Sequence, residues 1–289
     1  MTVKDALRQA RDALASQGIE EAPLEAEVLL RHCLGLDRAG LFVRLEEKLS
    51  REQTQDLSRL LESRGQGEPT AYITGHREFF GLDFLVDRRV LIPRPETELL
   101  VEKALEFLGR CPEPVEGRRS TALVADVGTG SGAVAVSVAV HCPGARLYAI
   151  DLSPQALEVA SLNCQRHGVA SRVALLQGDL LAPLPEKVDL IVANLPYVKA
   201  EDWPGLGPEI RNFEPELALR GGGDGLELIS RLLEDAPAHL KRGGALLLEV
   251  GAGEGQEALA RASSAAMRAV TRLWPDLAGR DRVLSVELP

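Results

Sequence analysis

Two short stretches of this chain combine residue types whose chemistry is specific. The first is Asp126-Val127-Gly128-Thr129-Gly130-Ser131-Gly132, set between an apolar run and a helical pattern. Alternate glycines let the backbone turn tightly and let a ligand approach where a side chain would block it. The next apolar run ends in Tyr148-Ala149-Ile150-Asp151. A carboxylate at such a strand end can accept hydrogen bonds from both hydroxyls of a ribose. The second stretch is Asn194-Leu195-Pro196-Tyr197. It suits a flat, planar nitrogen, an amide or an aromatic amine, whose lone pair is delocalised and therefore a poor nucleophile. Two acceptors, one from a side chain and one from a backbone carbonyl, can hold both of its N–H groups. That arrangement fixes the nitrogen for attack and stabilises positive charge as it develops. Tyr197 can stack on the planar group. No general base is obvious. Read locally, the same four residues also describe a plain strand exit with a core tyrosine.

The surrounding patterns say which elements must position these residues. From Thr121 onward, apolar runs alternate with amphipathic segments. Strands are expected over 122–126, 146–150, 172–176, 188–193 and 245–250, and two closing strands near 268–273 and 282–288. Helices are expected over 131–140, from Ser153-Pro154 to Gly168, over 226–240 and over 255–266. Alternation of this kind gives a mostly parallel sheet covered on both faces. In such a sheet the ligand crevice lies beyond the carboxyl ends of the strands, which is where Asp151 and Asn194 fall.

The first 65 residues read instead as short helices. Thr2 caps a helix with Val3, Ala6, Leu7, Ala10 and Leu14 on one side, and Gly18 stops it. A second helix buries Leu24, Val28, Leu29 and Leu30 and ends at Gly35. Ser50 and Gln53 form a capping box for a third. The aromatic, alternating stretch from Tyr72 to Val90 predicts a β-hairpin, and Pro95 fits the first turn of a helix running to Leu108. Cys111–Ser120, rich in Pro, Gly and charge, reads as an exposed loop.

Composition narrows the classes. Hydrophobic residues make up 45% of 289, enough for a sizeable core, yet no apolar run approaches the roughly 18–20 residues of a membrane span. The N-terminus lacks the apolar segment of a signal peptide, so a cytoplasmic location is expected, with no membrane association. A net charge of −10 weighs against a large nucleic-acid footprint, which needs a basic surface. No stable nucleic-acid binding is expected. Cys33, Cys111, Cys142 and Cys164 show no metal spacing, and the five histidines are scattered. Reduced thiols and no bound metal are the expectation.

The glycine loop has two readings. A dinucleotide fingerprint is written G-x-G-x-x-G, with its third glycine inside the helix. Here the spacing is G-x-G-x-G and position 133 is Ala. That spacing resembles the nucleoside-binding loop of the Rossmann-like methyltransferases, in which the loop faces the methionine part of S-adenosyl-L-methionine. The strand that follows ends at Gln177-Gly178-Asp179-Leu180, where an adenine usually lies against the chain.

Over nearly its whole length the sequence resembles the release-factor glutamine methyltransferases, the HemK/PrmC family. The resemblance is carried by Gly67–Gly75, Leu91–Glu98 (Leu-Ile-Pro-Arg-Pro-Glu-Thr-Glu), Asp126–Gly132, Phe213–Glu216, Gly222–Leu226 and Ala278–Arg282. It implies a Rossmann-like class I methyltransferase domain at 94–289 with a mostly parallel seven-stranded sheet. A small N-terminal helical, substrate-docking domain at 1–75 and a β-hairpin linker at 76–93 would precede it. It further implies methyl transfer from S-adenosyl-L-methionine to the glutamine amide in the Gly-Gly-Gln motif of class I peptide chain release factors. On this resemblance Asn194 and the Leu195 carbonyl hold the amide, Tyr197 flanks it, and Pro196 completes the acceptor turn. Gly128, Thr129, Gly130, Ser131, Gly132, Asp151, Leu180 and Asn194 contact the cofactor.

One residue departs from the family. Its acceptor turn usually reads Asn-Pro-Pro-Tyr, whereas position 195 is Leu. Asn-Leu-Pro-Tyr is common in enzymes that methylate adenine N6 in ribosomal RNA. The acidic charge, the 92–98 and 222–226 segments and the helical domain placed first favour glutamine. A glutamine methyltransferase of a ribosomal protein ranks next. The change itself is mild, since the acceptor is a backbone carbonyl and Pro196 still biases Leu195 towards extended backbone.

Overall fold

In the computed structural model, residues 1–110, 121–265 and 269–289 are described. The loop expected at Cys111–Ser120 and the start of the strand expected from Arg268 lie outside them. The chain forms two compact units, Met1–His76 with Gly207–Phe213, and Arg77–Leu206 with Glu214–Pro289.

The first unit is helical: α1 (Val3–Ser16), α2 (Ala22–Leu34), α3 (Arg38–Val43), α4 (Arg51–Gly65) and α5 (Thr70–Thr74). Both capping expectations hold in atomic terms. The Thr2 hydroxyl accepts from Asp5 N–H while the Asp5 carboxylate accepts from Thr2 N–H, and Ser50 and Gln53 do the same for α4. Each pair satisfies two amide donors that a helix start otherwise leaves open. Gly35, in left-handed backbone at φ 63°, ends α2.

Three details differ from the sequence expectation. Leu24 is half exposed, because the buried face of α2 is set by Ala22, Ala26, Leu29 and Leu30, and Leu24 sits two residues off that stripe. The short α3, capped by Asp37 on Gly40 N–H, shows no apolar period over six residues. Tyr72 belongs to α5, between Pro69 and left-handed Gly75, so the stretch read as strand starts with one helical turn.

The hairpin in the second unit is correspondingly shorter: β1 (His76–Phe79), which begins at the unit boundary, and β2 (Leu82–Leu85). Its turn residues Phe80 and Gly81 both have positive φ, the geometry a two-residue hairpin turn requires. Left-handed backbone at Phe80 costs about 1 kcal/mol or more. The contacts that hold it there are the Glu98 carboxylate on Phe80 N–H and the His141 ring edge-on to the Phe80 ring.

Seven further strands form one sheet: β3 (Leu123–Val127), β4 (Arg146–Asp151), β5 (Val173–Gln177), β6 (Val188–Ala193), β7 (Leu240–Glu249), β8 (Val270–Pro275) and β9 (Asp281–Glu287). Their order is β5-β4-β3-β6-β7-β9-β8. The first five in that order are parallel; β9 runs antiparallel to both β7 and β8. This is the mostly parallel sheet expected from the alternation, in the class I methyltransferase arrangement that the family resemblance implies. The second unit's helices are α6 (Glu98–Arg110), α7 (Ala133–His141), α8 (Pro154–Arg166), α10 (Glu227–His239) and α11 (Gly255–Ala265), while α9 (Pro208–Phe213) belongs to the first unit. Central strands β3 and β6 and helix α7 are buried along almost their whole length. That explains their unbroken apolar sequences.

Sequence order reverses between β3 and β6, so a crevice opens past their carboxyl ends. Asn163 of α8, fully buried, ties this region to the hairpin. Its amide exchanges two hydrogen bonds with the Leu85 backbone and donates to the Ser131 carbonyl. Among the described residues no helix is long and apolar enough to cross a membrane.

Candidate functional site

The three loop glycines have three different reasons to be glycine. All have positive φ, at 75°, 55° and 80° for Gly128, Gly130 and Gly132. A Cβ on Gly128 would lie 3.2 Å from the Leu195 side chain, and one on Gly132 would lie 3.2–3.3 Å from Ala160 of α8. The first glycine admits the acceptor turn and the third admits a helix. Only Gly130 faces open space, with nothing within 4 Å of a would-be Cβ. That is the point where a ligand can reach the backbone.

The carboxylates beneath the loop hold it in shape. Asp126, at the end of β3, accepts from the Thr129 hydroxyl at 2.7 Å and from Ala135 N–H at 3.1 Å. Burial pushes its carboxyl up to about 6 against the pull of those bonds. Asp151, at the end of β4, accepts from Gly130 N–H at 2.8 Å and from Ser153 N–H at 2.9 Å. Burial raises its carboxyl too, while these backbone donors oppose the rise. Leu152 N–H is a third backbone donor to the same carboxylate, which still keeps acceptor capacity for a hydroxyl donor. Leu180 follows β5 in left-handed backbone at φ 48° and is nearly buried. A strained non-glycine residue beside a crevice is a recurrent mark of a binding site.

The acceptor turn leaves β6 directly opposite. The Asn194 side-chain nitrogen donates to the Thr97 hydroxyl at 3.0 Å, which leaves Oδ1 as the other end of that amide. Leu195 is buried against Gly128. Behind the turn, a Cβ on Gly221 would meet Tyr197 Cα at 2.6 Å and the Pro196 carbonyl at 2.8 Å, and one on Gly225 would meet the Tyr197 carbonyl at 2.6 Å. The glycine-rich 221–225 segment is therefore the bed on which the turn lies. Val198 also donates its N–H to the Leu219 carbonyl and accepts from Gly221 N–H, on either side of the Val198–Arg220 bridge. Tyr197 packs towards Gly251, and burial next to Glu249 pushes its phenol up to about 12. Glu214, buried rather than exposed, accepts from Ile92 N–H and pairs with Arg94, bracing the Pro215–Ala218 turn.

Between the two halves lies a cavity of about 340 Å³. Gly128, Gly130, Asp151, Leu180, Asn194, Leu195 and Pro196 all line it, so most of the residues singled out in the sequence meet there. Thr129, Ser131, Gly132 and Tyr197 do not. Thr129 is engaged with Asp126, the Ser131 carbonyl with Asn163, Gly132 packs on α8, and Tyr197 lies behind the turn. Sequence reading missed Leu152 and Leu217, more than half exposed yet lining the cavity, and Thr97, which grips Asn194. Leu152 was findable as an apolar residue just past Asp151 at a strand exit. Thr97 carried no local signal.

The cradle fits a nucleoside with a thioether or sulfonium side chain. It offers remaining acceptor capacity on the Asp151 carboxylate, a backbone approach at Gly130 and apolar walls at Leu152 and Leu217.

Comparison with known proteins agrees with this geometry. Residues 5–75 match the family model of the PrmC N-terminal domain, and residues 124–213 that of a methyltransferase domain. The chain is 46% identical to the release factor glutamine methyltransferase of Moorella thermoacetica, over 98% of this chain and 97% of that one. It is 44% identical to that of Cereibacter sphaeroides, over 100% and 99%, and 34% identical to that of Bacillus anthracis, over the full length of both. Among solved structures, the human methyltransferase 10 domain containing protein shares the fold with a TM-score of 0.52 at 15% identity, covering 73% of this chain and 91% of that one. A methyltransferase from Pyrococcus furiosus shares it at 0.50 and 18%, covering 81% and 98%. On the full-length identities, this chain belongs to the release factor glutamine methyltransferase family.

Proposed function

We propose that this chain transfers a methyl group from S-adenosyl-L-methionine to the side-chain amide nitrogen of the glutamine in the Gly-Gly-Gln motif of class I peptide chain release factors. The observation that carries the reading is the pairing of two backbone-and-amide surfaces across one cavity. Gly128, Gly130 and Asp151 stand on one wall, and Asn194 and Leu195 on the other.

When bound, S-adenosyl-L-methionine supplies an electrophilic methyl group on a sulfonium sulfur. Asp151 would accept from the ribose hydroxyls with its remaining acceptor capacity, and Leu152 and Leu217 would cover the apolar faces of the base. Asn194 Oδ1 and the Leu195 carbonyl each accept one N–H of the glutamine amide. Holding both hydrogens fixes the nitrogen in line with the methyl carbon and draws its lone pair out of conjugation as the N–C bond forms. The S–C bonding pair leaves on sulfur. One amide proton is lost afterwards, once the methylated nitrogen carries positive charge and is acidic enough for water to take it. Tyr197 buttresses the turn from behind.

Residues 1–75 would serve as the substrate-docking domain, 76–93 as the hairpin linker and 94–289 as the methyltransferase domain, in a cytoplasmic enzyme. Incubation with labelled S-adenosyl-L-methionine and an unmethylated release factor should label the Gly-Gly-Gln glutamine. Leu195 gives the adenine-N6 reading its one specific support. Label found in ribosomal RNA, with none in release factor or in ribosomal protein, would replace the proposal with that reading.

A further inference from the structure

Glu249 ends β7 and is buried to 1% exposure, yet the cofactor chemistry has no use for it. Its Oε2 has no hydrogen-bond partner among the described residues. Among the described residues, the Thr97 side chain donates towards the carboxylate. Thr97 in turn accepts from Asn194 Nδ2 at 3.0 Å. The three side chains, distant in sequence, thus form a chain with one direction: Asn194 N–H to Thr97 oxygen, Thr97 O–H to Glu249.

A hydroxyl has a single hydrogen, so its two hydrogen bonds are coupled. While Glu249 is ionised it can only accept; Thr97 must donate to it and accept from Asn194. The Asn194 amide is then held with nitrogen towards Thr97 and Oδ1 left for the cavity. A proton on Oε2 would itself find no acceptor among the described residues, so a protonated Glu249 carries it on the oxygen facing Thr97 and donates to the Thr97 oxygen. The Thr97 hydrogen then needs an acceptor, and Asn194 supplies one only by turning its amide over. That turn presents NH₂ to the cavity, where the substrate amide also has NH₂. Two donors face each other and the substrate amide loses its hold.

We propose that Glu249, acting through Thr97, is a positioning residue that fixes which end of the Asn194 amide faces the acceptor, and that it does so only when ionised. The inference rests on the reading above that Asn194 holds the glutamine amide. Burial is the largest influence on Glu249 and pushes its carboxyl up to about 7. Arg282 of β9 and Arg94 favour its ionised form, Glu96 opposes it, and the Tyr197 phenol lies close by and is neutral in this range. Arg282 is itself shared with Asp276 and the Val250 carbonyl.

Three variants and one spectroscopic measurement test this. In the wild type, kcat should fall about tenfold per pH unit below about 7. Glu249→Gln is neutral at every pH and cannot titrate, so its kcat should be flat from pH 6 to 8. Thr97→Val should lower kcat by about ten- to a hundredfold, with cofactor affinity changed less than about twofold, as for other groups that orient a contacting residue. Thr97→Ser should restore kcat to within about threefold. An acid limb that persists in Glu249→Gln, or a serine variant no better than valine, overturns the proposal.

Independently of activity, the Asn194 side-chain NH₂ resonances, assigned by their loss in Asn194→Ala, should titrate near pH 7 in wild type and not in Glu249→Gln. Absence of that titration sinks the relay even if release factor is methylated. Its presence in a protein that does not methylate release factor would overturn the substrate reading alone.

Discussion

The two walls of the cavity are made differently. The wall holding the glycine loop is a local construction. Gly128 to Gly132 follow β3 within five residues, Asp151 follows one strand later, and the bonds that shape them run between neighbours in the sheet. The wall holding the acceptor turn is assembled from afar. Asn194 is gripped by Thr97, Tyr197 lies on Gly221 and Gly225, and Glu249 arrives from β7. A backbone cradle tolerates variation in side chains. A relay of side chains does not, because each member fixes the hydrogen-bond direction of the next.

Changes on either side should therefore fail differently. The largest effect is expected on the assembled wall. Asn194→Ala should lower kcat by about 10²–10³, the range for losing one preorganised group that meets developing charge. Cofactor affinity measured by calorimetry should shift far less; equal losses in both would place Asn194 in the cofactor site and erase the distinction between the walls.

Next comes stability. A carboxyl with a raised folded pKa stabilises the fold fully below its unfolded value and loses that contribution as pH rises through the folded value. For Glu249 the window runs from 4.5 to about 7. Glu249→Gln should gain up to about 3 kcal/mol over wild type in denaturant melts at pH 8, from about 1.4 kcal/mol per unit. The difference should vanish below pH 4.5. No gain at pH 8 would mean that the relay carries no folding cost.

On the local wall, Asp151→Ala should weaken cofactor binding about ten- to thirtyfold, the loss of one or two hydrogen bonds to a charged group. With cofactor saturating, kcat should recover most of its wild-type value. Unchanged affinity would remove the ribose role. The smallest effect belongs to Leu195→Pro, which restores the family's usual turn. Because the working atom at 195 is a carbonyl, kcat should stay within about threefold. A gain of tenfold or more would show that ring rigidity matters to amide placement.

The same contrast explains what could be read in the sequence. The sheet, its parallel core, the glycine loop and Asp151 follow from periodicity and from spacing over a few tens of residues, and they stand where expected. Asn194 to Tyr197 was legible as a turn with acceptor chemistry. What set its geometry was not. Thr97 is an ordinary residue before an ordinary helix until β6 brings Asn194 beside it, and Glu249 looks like the polar end of an apolar strand. Tyr197 shows the converse. An aromatic in a reactive turn invites a stacking role, and what its own stretch of sequence does not show is the glycine bed of 221–225 on which its backbone lies. In the helical unit, Leu24 was assigned to the core by hydrophobicity alone, while two alanines chose the face.

The division of the chain into units has a consequence for how this protein can be inherited or dissected. Residues 207–213 belong with the N-terminal helices, where Glu209 pairs with buried Arg64, although they are encoded between the acceptor turn and α10. The polypeptide therefore passes from one unit to the other three times, at 76–77, 206–207 and 213–214. A chain cut at His76 would carry a segment whose folding partner had been removed, and a helical unit transplanted alone would lack its last piece. The two units are stitched rather than strung, so neither can be exchanged between proteins by a single genetic join.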